Sequence, residues 1–267
     1  MDIETERAGG VLTITFNRPE VRNAMSRAMA TSLRDTVSEA ESDDDVRAVV
    51  LRGKGGHFCA GGDIKDMAAA RGSEAKEGED DPIVALSQDF GRMVESFARF
   101  PKPVIVVLEG AVMGGGFGIS CVADVALAHQ SAEFRLSETS LGLIPAQIAP
   151  FLVERLGYSE AKRLAVTGAR LDAAGALKAG LAHAVYEDDD ALAAGLNATL
   201  ADVLRCAPRA TMETKRLLFR TRFEPPDAMV GYAAERFAAA ARSAEGQEGM
   251  MAFIQKRPAA WVPEEGK

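Results

Sequence analysis

The sequence predicts an α/β fold with parallel strands, and three observations predict it. In residues 11–16 (Val-Leu-Thr-Ile-Thr-Phe), Leu12, Ile14 and Phe16 alternate with threonines, the period of a half-buried strand. Val104 to Leu108 is an unbroken apolar run, typical of a strand covered on both faces. Between Val46–Arg52, a further strand, and Val104–Leu108 lie a glycine-containing loop and a helical stripe. Strand–loop–helix–strand order of this kind makes parallel neighbours.

Each element has its own signal. Asn17-Arg18-Pro19 ends the first strand. Met25, Met29, Leu33 and Val37 fall four apart, the stripe of an amphipathic helix beginning near Ser26 and closed by Asp43-Asp44-Asp45. After the loop Phe58-Cys59-Ala60-Gly61-Gly62-Asp63-Ile64-Lys65, residues 70–82 are polar and aperiodic and read as a mobile loop. Ile83, Leu86, Phe90, Met93 and Phe97 mark the next helix. Beyond about residue 190 the pattern is wholly helical, broken at Pro208 and Pro225-Pro226. The organisation expected is a core over 1–190 and a helical region over 191–267, the latter too small to hold a core of its own.

Composition narrows the class. The chain has 267 residues, 47% of them hydrophobic, enough for one large domain or a domain with an appendage. No run of about eighteen apolar residues occurs, which argues against a helical membrane span. The acidic start Met1-Asp2-Ile3-Glu4-Thr5-Glu6 lacks the features of a secretory signal. Cys59, Cys121 and Cys206 are scattered, without metal-ligand or redox spacing, and read as reduced thiols of a cytoplasmic protein. His57, His129 and His183 share no motif partner and read as structural, so no metal site is expected. A net charge of −8 argues against nucleic acid as a partner.

The chemistry is carried by two small-residue loops, Cys59–Asp63 and the triple glycine Gly114-Gly115-Gly116, each placed to open a helix. A helix start leaves backbone N–H groups unused. Two such donors converging on one point form an oxyanion hole, which stabilises negative charge growing on a carbonyl oxygen.

These loops, in order with the other motifs, resemble the crotonase (enoyl-CoA hydratase/isomerase) superfamily nearly end to end. The resemblance runs through Val11 to Met25 with its Asn-Arg-Pro turn, Phe58–Lys65, Gly110–Gly116, Ser137-Glu138 with Leu141–Pro145, Ala165–Gly168 and Gly249–Phe253 with Lys256-Arg257-Pro258. It implies a ClpP-like, right-handed spiral of ββα turns with a C-terminal helical trimerisation region, assembled as a homotrimer or a hexamer (a dimer of trimers). It implies an acyl-CoA substrate, with coenzyme A part of the substrate and no separate cofactor. By position, the Gly62 and Gly115 amides would hold the thioester oxygen, each contributing about 3 kcal/mol in the transition state. Ala60, Asp63 and Ile64 would line the CoA groove, with Arg22 and a neighbouring subunit's Lys256 on its phosphates. Read as residues alone, Asp63 is equally an N-cap, and Arg22 and Lys256 equally solvated charges.

The chain also departs from that pattern. Hydratases that it resembles use two glutamates, one orienting water for the β-carbon and one giving a proton to the α-carbon. The later one corresponds to Glu138; the earlier position is Gly118, which does no proton chemistry. The segment Pro145-Ala146-Gln147-Ile148-Ala149-Pro150 resembles a bacterial branch acting on 3-branched glutaconyl-CoA esters, 3-methylglutaconyl-CoA and isohexenylglutaconyl-CoA, from leucine and acyclic-terpene breakdown. Gln147 would then stand near the acyl chain and bond a carboxylate or water, or else serve as a loop-capping amide. The reading favoured is hydration of such a 2-enoyl-CoA. Its alternatives are a Δ3-Δ2-enoyl-CoA isomerase with Glu138 as single base, and a non-catalytic acyl-CoA-binding member. Gly118→Glu is expected to raise crotonyl-CoA hydration if the missing carboxylate limits the rate.

Overall fold

The computed structural model describes residues 1–73, 78 and 80–263. In chain order the elements begin with β1 (Ile3–Ala8), β2 (Val11–Phe16), α1 (Arg27–Ser42), β3 (Ala48–Gly53), α2 (Ile64–Gly72) and α3 (Pro82–Arg99). Next come β4 (Val104–Leu108), β5 (Ala111–Met113), α4 (Gly115–Val122), β6 (Val125–His129), β7 (Glu133–Arg135), α5 (Ala149–Thr167), β8 (Arg170–Leu171), α6 (Ala173–Lys178) and β9 (Ala184–Tyr186). Four helices finish the chain: α7 (Asp189–Arg205), α8 (Pro208–Arg220), α9 (Pro226–Arg242) and α10 (Ala244–Ile254).

One six-stranded sheet runs in the order β1-β2-β3-β4-β6-β9, and a three-stranded sheet in the order β5-β7-β8. Within the six-stranded sheet every pairing from β2 to β9 is parallel, as the strand–helix–strand order requires, while β7 and β8 of the smaller sheet pair antiparallel. All five residues of β4 are buried, and they divide by parity. Val104, Val106 and Leu108 join the core under α1 and α3, while Ile105 and Val107 join a cluster under α7, with Leu192, Leu196 and Leu200. An apolar run without alternation is what a strand needs when both of its faces are covered.

The stripe on α1 behaves as its spacing predicts. Met29, Leu33 and Val37 are buried, and the Ser26 hydroxyl caps the helix by accepting from the Met29 amide at 3.0 Å. Met25 belongs instead to a short parallel bridge with Gly62. The strands differ from the expectation in two ways. β3 starts at Ala48 rather than Val46, and β1 was not signalled, because only Ile3 of its six residues is buried. A tight turn at Gly9 and Gly10 (φ 54° and 81°) joins β1 to β2, the left-handed pair that a two-residue hairpin favours. Of the expected loop over 70–82, residues up to Gly72 close α2 and Pro82 opens α3; 74–77 and 79 lie outside the described residues. Among the described residues no helix is long and apolar enough to cross a membrane.

Because Leu33 is fully buried and its neighbour Arg34 is only half-buried, at the helix surface, the two positions should respond differently. Leu33→Ala is expected to lower the unfolding free energy by about 2–5 kcal/mol, and Arg34→Ala to change it by less than about 0.5 kcal/mol, in urea titrations followed by circular dichroism.

Candidate active site

The first loop is stitched down on both sides by backbone. On one side Cys59 pairs with β5, its N–H donating to the Ala111 carbonyl at 2.9 Å and its carbonyl accepting from Met113 at 2.8 Å. On the other, the Gly61 carbonyl accepts from the Met25 amide at 2.7 Å, and the Asp63 amide donates to the Met25 carbonyl at 2.9 Å. Asn23 explains part of the early motif. It is fully buried at a left-handed φ of 57°, and its side-chain nitrogen donates to the Lys54 and His57 carbonyls at 2.9 and 2.6 Å. Its oxygen accepts from the Arg18 amide at 2.8 Å. The turn after β2 is thus pinned to the strand of backbone that leads into the loop.

The second loop follows β5 directly. Gly114 has φ 46° and Gly61 has φ 103°, a region that costs non-glycine residues dearly. The two loops touch there. A Cβ built on Gly114 would fall 3.3 Å from the Gly61 Cα and 3.2 Å from Glu138 Oε1. Gly61–Gly62, Gly114–Gly115 and the Glu138 carboxylate therefore meet at one place. Among the described residues, neither the Gly62 nor the Gly115 amide donates to a protein acceptor. Gly115 is the first residue of α4, so its free N–H stands at the positive end of the helix.

Glycine matters differently at the two amides. A Cβ on Gly62 would meet no protein atom within 4 Å, whereas one on Gly115 would come within 3.0 Å of the Phe90 ring. Protein packing therefore requires glycine at Gly115 but not at Gly62.

Glu138 follows β7 and precedes a 3-10 turn at Thr139–Leu141. Its Oε2 is buried without a hydrogen-bond partner among the described residues. Burial raises its pKa above the usual carboxylate range, against a smaller lowering by its own backbone N–H. A half-desolvated carboxyl with an idle oxygen, next to two idle amide donors, has the composition of an acid–base group facing an oxyanion hole.

A cavity of about 690 Å³ opens from this point between α1, α2 and α3. Its walls are mostly apolar, with Met25, Met67, Ile83, Leu86 and Phe90 among them, and Gly62, Asp63 and Ile64 at its mouth. Ile64 is 75% exposed although apolar. The Asp63 carboxylate is fully engaged: one oxygen caps α2 through the Lys65 amide at 2.9 Å, the other accepts from Arg18 at 2.7 Å. Burial alone would raise its pKa, but the Arg18 hydrogen bond and charge outweigh that and hold it low. Arg22 is exposed, at a left-handed φ of 51°, and its carbonyl accepts from the Ala60 amide at 3.0 Å. Lys256 follows α10 at φ 52°, exposed and away from the cavity walls of its own chain.

Gly118 holds a surprise. A Cβ there would lie 2.3 Å from Ile148 Cγ2, so the place of a second carboxylate is filled by a buried apolar side chain. The expectation that Gly118→Glu could restore that group is corrected: the space does not exist while Ile148 occupies it. Gln147, next to it, turns its amide to α3, donating to Ser87 Oγ at 3.0 Å. Arg18, Asn23, Phe90 and Ile148 were not marked as site residues from sequence. Arg18, Asn23 and Ile148 stood inside quoted motifs, which was the available signal; Phe90 stood only in the apolar stripe of a helix.

Two outcomes follow. A carboxyl whose folded pKa is raised binds its proton more tightly in the folded state, so it subtracts stability as pH rises past the ordinary carboxylate range. Glu138→Gln is therefore expected to raise Tm at about pH 8 while changing it little at about pH 4, by calorimetry. Gly118→Glu is expected to destabilise by about 1–3 kcal/mol or more through overpacking on Ile148 and to gain no crotonyl-CoA hydration.

Comparison with known proteins places the chain in a family. Residues 6–264 match the family model described as enoyl-CoA hydratase/isomerase. A solved enoyl-CoA hydratase/isomerase from Marinobacter aquaeolei is 53% identical, with a TM-score of 0.95 over 98% of this chain and 99% of its own. The Pseudomonas aeruginosa protein AtuE is 48% identical, with a TM-score of 0.95 over 98% of this chain and all (100%) of its own. The enoyl-CoA hydratase EchA19 of Mycobacterium tuberculosis is 34% identical across 96% of this chain and 94% of its length. With a match this long and a fold this close, the chain belongs to the enoyl-CoA hydratase/isomerase family and has the crotonase fold.

Proposed function

We propose that this protein is a hydro-lyase that adds water across the double bond of a 2-enoyl-CoA thioester, with Glu138 as its single acid–base group. The observation that carries the reading is the buried, unpartnered Glu138 Oε2 beside the two unused amides of Gly62 and Gly115. The amides bind the thioester oxygen and stabilise the enolate that forms as the β-carbon is attacked. The Glu138 carboxylate takes a proton from water as its oxygen joins the β-carbon, then returns that proton to the α-carbon. Both partners of water end on the substrate and Glu138 is regenerated, so one carboxylate suffices. Its raised pKa suits both halves of the cycle.

The preferred substrates in this proposal are 3-branched glutaconyl-CoA esters. The Pro145–Pro150 segment supports this, as does a long apolar cavity that also receives Arg71 near the end of α2, a cation suited to a distal carboxylate. Arg27 lines the same cavity but is held by Asp89 at 2.6 Å. Ala60, Asp63 and Ile64 would form the groove wall by backbone and apolar contact, with Arg22 and a neighbouring subunit's Lys256 toward the CoA phosphates; the substrate's own CoA serves and no further cofactor enters. A homotrimer or dimer of trimers is part of the proposal, supported by apolar side chains that α9 and α10 leave exposed, including Phe237 and Ile254.

The test is a substrate screen that follows loss of the conjugated enoyl-thioester absorbance. Glutaconyl esters such as 3-methylglutaconyl-CoA are expected to be consumed faster than crotonyl-CoA, and Glu138→Gln to lose about 10²–10⁴ of the rate. Appearance of the same chromophore from a 3-enoyl-CoA, without consumption of any 2-enoyl ester, would replace hydration by isomerisation.

A further inference from the structure

The Glu138 carboxylate sits on a surface segment, and its position has to come from somewhere. Between Glu138 and Ala149 the backbone bonds are local turns, among them Leu143 N–H to the Glu138 carbonyl at 2.9 Å and Ala149 N–H to the Pro145 carbonyl at 3.0 Å, which do not tie the segment to its neighbours. Leu141, Leu143 and Ile144 on it are exposed. On the α5 side Thr139 Oγ1 donates to the Ala165 carbonyl at 2.9 Å, while Arg135 Nε donates to the Gly168 carbonyl at 3.0 Å. On the cavity side the tie is Gln147. Its Nε2 donates to Ser87 Oγ at 3.0 Å, and its amide is seated on Gly91, where a Cβ would fall 2.3 Å from Oε1 and 2.7 Å from Cδ. Gly91 is thus a notch in α3 cut to the width of one glutamine amide.

The same turn of α3 reaches the reacting end. Ser87 and Phe90 line the cavity, and the Phe90 ring lies over Gly115. Immediately after Gln147, Ile148 seats on Gly118 of α4, the helix whose first amide is Gly115. The dipeptide Gln147–Ile148 is therefore fixed to α3 by a hydrogen bond and a notch, and to α4 by packing. We infer that Gln147 is a positioning residue: clasped by Ser87 and Gly91, it sets the Glu138 segment in register with the Gly62 and Gly115 amides. With Nε2 given to Ser87 and Oε1 against Gly91, the amide faces the helix rather than the acyl chain.

This inference rests on Glu138 acting as the acid–base group, and the experiment separates the two. Gln147→Ala and Ser87→Ala are expected to lower kcat roughly 10- to 100-fold with KM within about 3-fold, as a misplaced catalytic group does. Gly91→Ala should do the same by expelling the amide. Gly91→Ala/Gln147→Ala should be no worse than Gln147→Ala, because the added methyl then meets no amide, a non-additivity that separate structural defects would not produce. If Gly91→Ala does not fold, Ser87→Ala carries the test. The readout independent of turnover is an infrared difference titration of the Glu138 carboxyl, with Glu138→Gln as blank. In Gln147→Ala its pKa is expected to fall toward the ordinary carboxylate range as the segment opens to water. Wild-type kcat and an unmoved titration in folded Gln147→Ala would overturn the inference. So would a rise confined to KM for distal-carboxylate substrates, which would make Gln147 a substrate ligand. If Glu138→Gln keeps the wild-type rate, the acid–base reading falls, and the titration still decides whether Gln147 holds the segment.

Discussion

The site depends on one close approach of backbone to backbone, at Gly61 and Gly114. Both residues have left-handed φ values, and a side chain on Gly114 would strike the other loop and Glu138 together. That approach is what lets two amides from distant parts of the chain, Gly62 and Gly115, stand idle side by side. Everything around it holds the loops at that spacing: the Cys59 bridge to β5, the Met25 bridge to Gly62, and the buried Asn23 behind them. The sheet supplies the rigidity. Covered on both faces by α1, α3 and α7, it presents the ends of β3 and β4, and then β5, at fixed separations.

Charge is distributed with equal economy. Asp63, at the start of α2, is neutralised by Arg18 and caps the helix, so the charge nearest the first amide is already spent. Glu138 is treated the opposite way: its Oε2 has no partner and its ionised form is disfavoured by burial. One carboxylate is locked in its charged form while the other is left free to exchange a proton, and environment alone separates them.

Much of this was legible in sequence. β4 was recognisable because burial on both faces leaves an unbroken apolar run, and α1 because its stripe and Ser26 cap agree. The two loops were recognisable because close backbone contact restricts residue type to glycine in a fixed local pattern, and Glu138 through the resemblance of its motif to the crotonase family. What escaped depends on contacts across the chain. β1 is an exposed edge with one buried residue, and β5, β7 and β8 are too short for a period to register. Gly118 read as the loss of a carboxylate, but Ile148, far along the chain, fills that space, and no local pattern announces it. Gly91 carried no signal of its own, because its role appears only in the contact with Gln147, far along the chain.

The open space around Gly62 has a wider consequence. An alanine fits there without meeting any protein atom, and the amide it would carry is the same amide. At Gly62 the donor is main chain, which every residue except proline supplies, so a substitution there leaves the amide in place, whereas Gly61, Gly114 and Gly115 have no such latitude. The acyl end is built from side chains on α2, α3 and the segment around Gln147, where single changes alter shape and charge. The two ends of the site therefore differ in tolerance: the glycine end admits change at Gly62 alone, while the side-chain end can be reshaped one residue at a time.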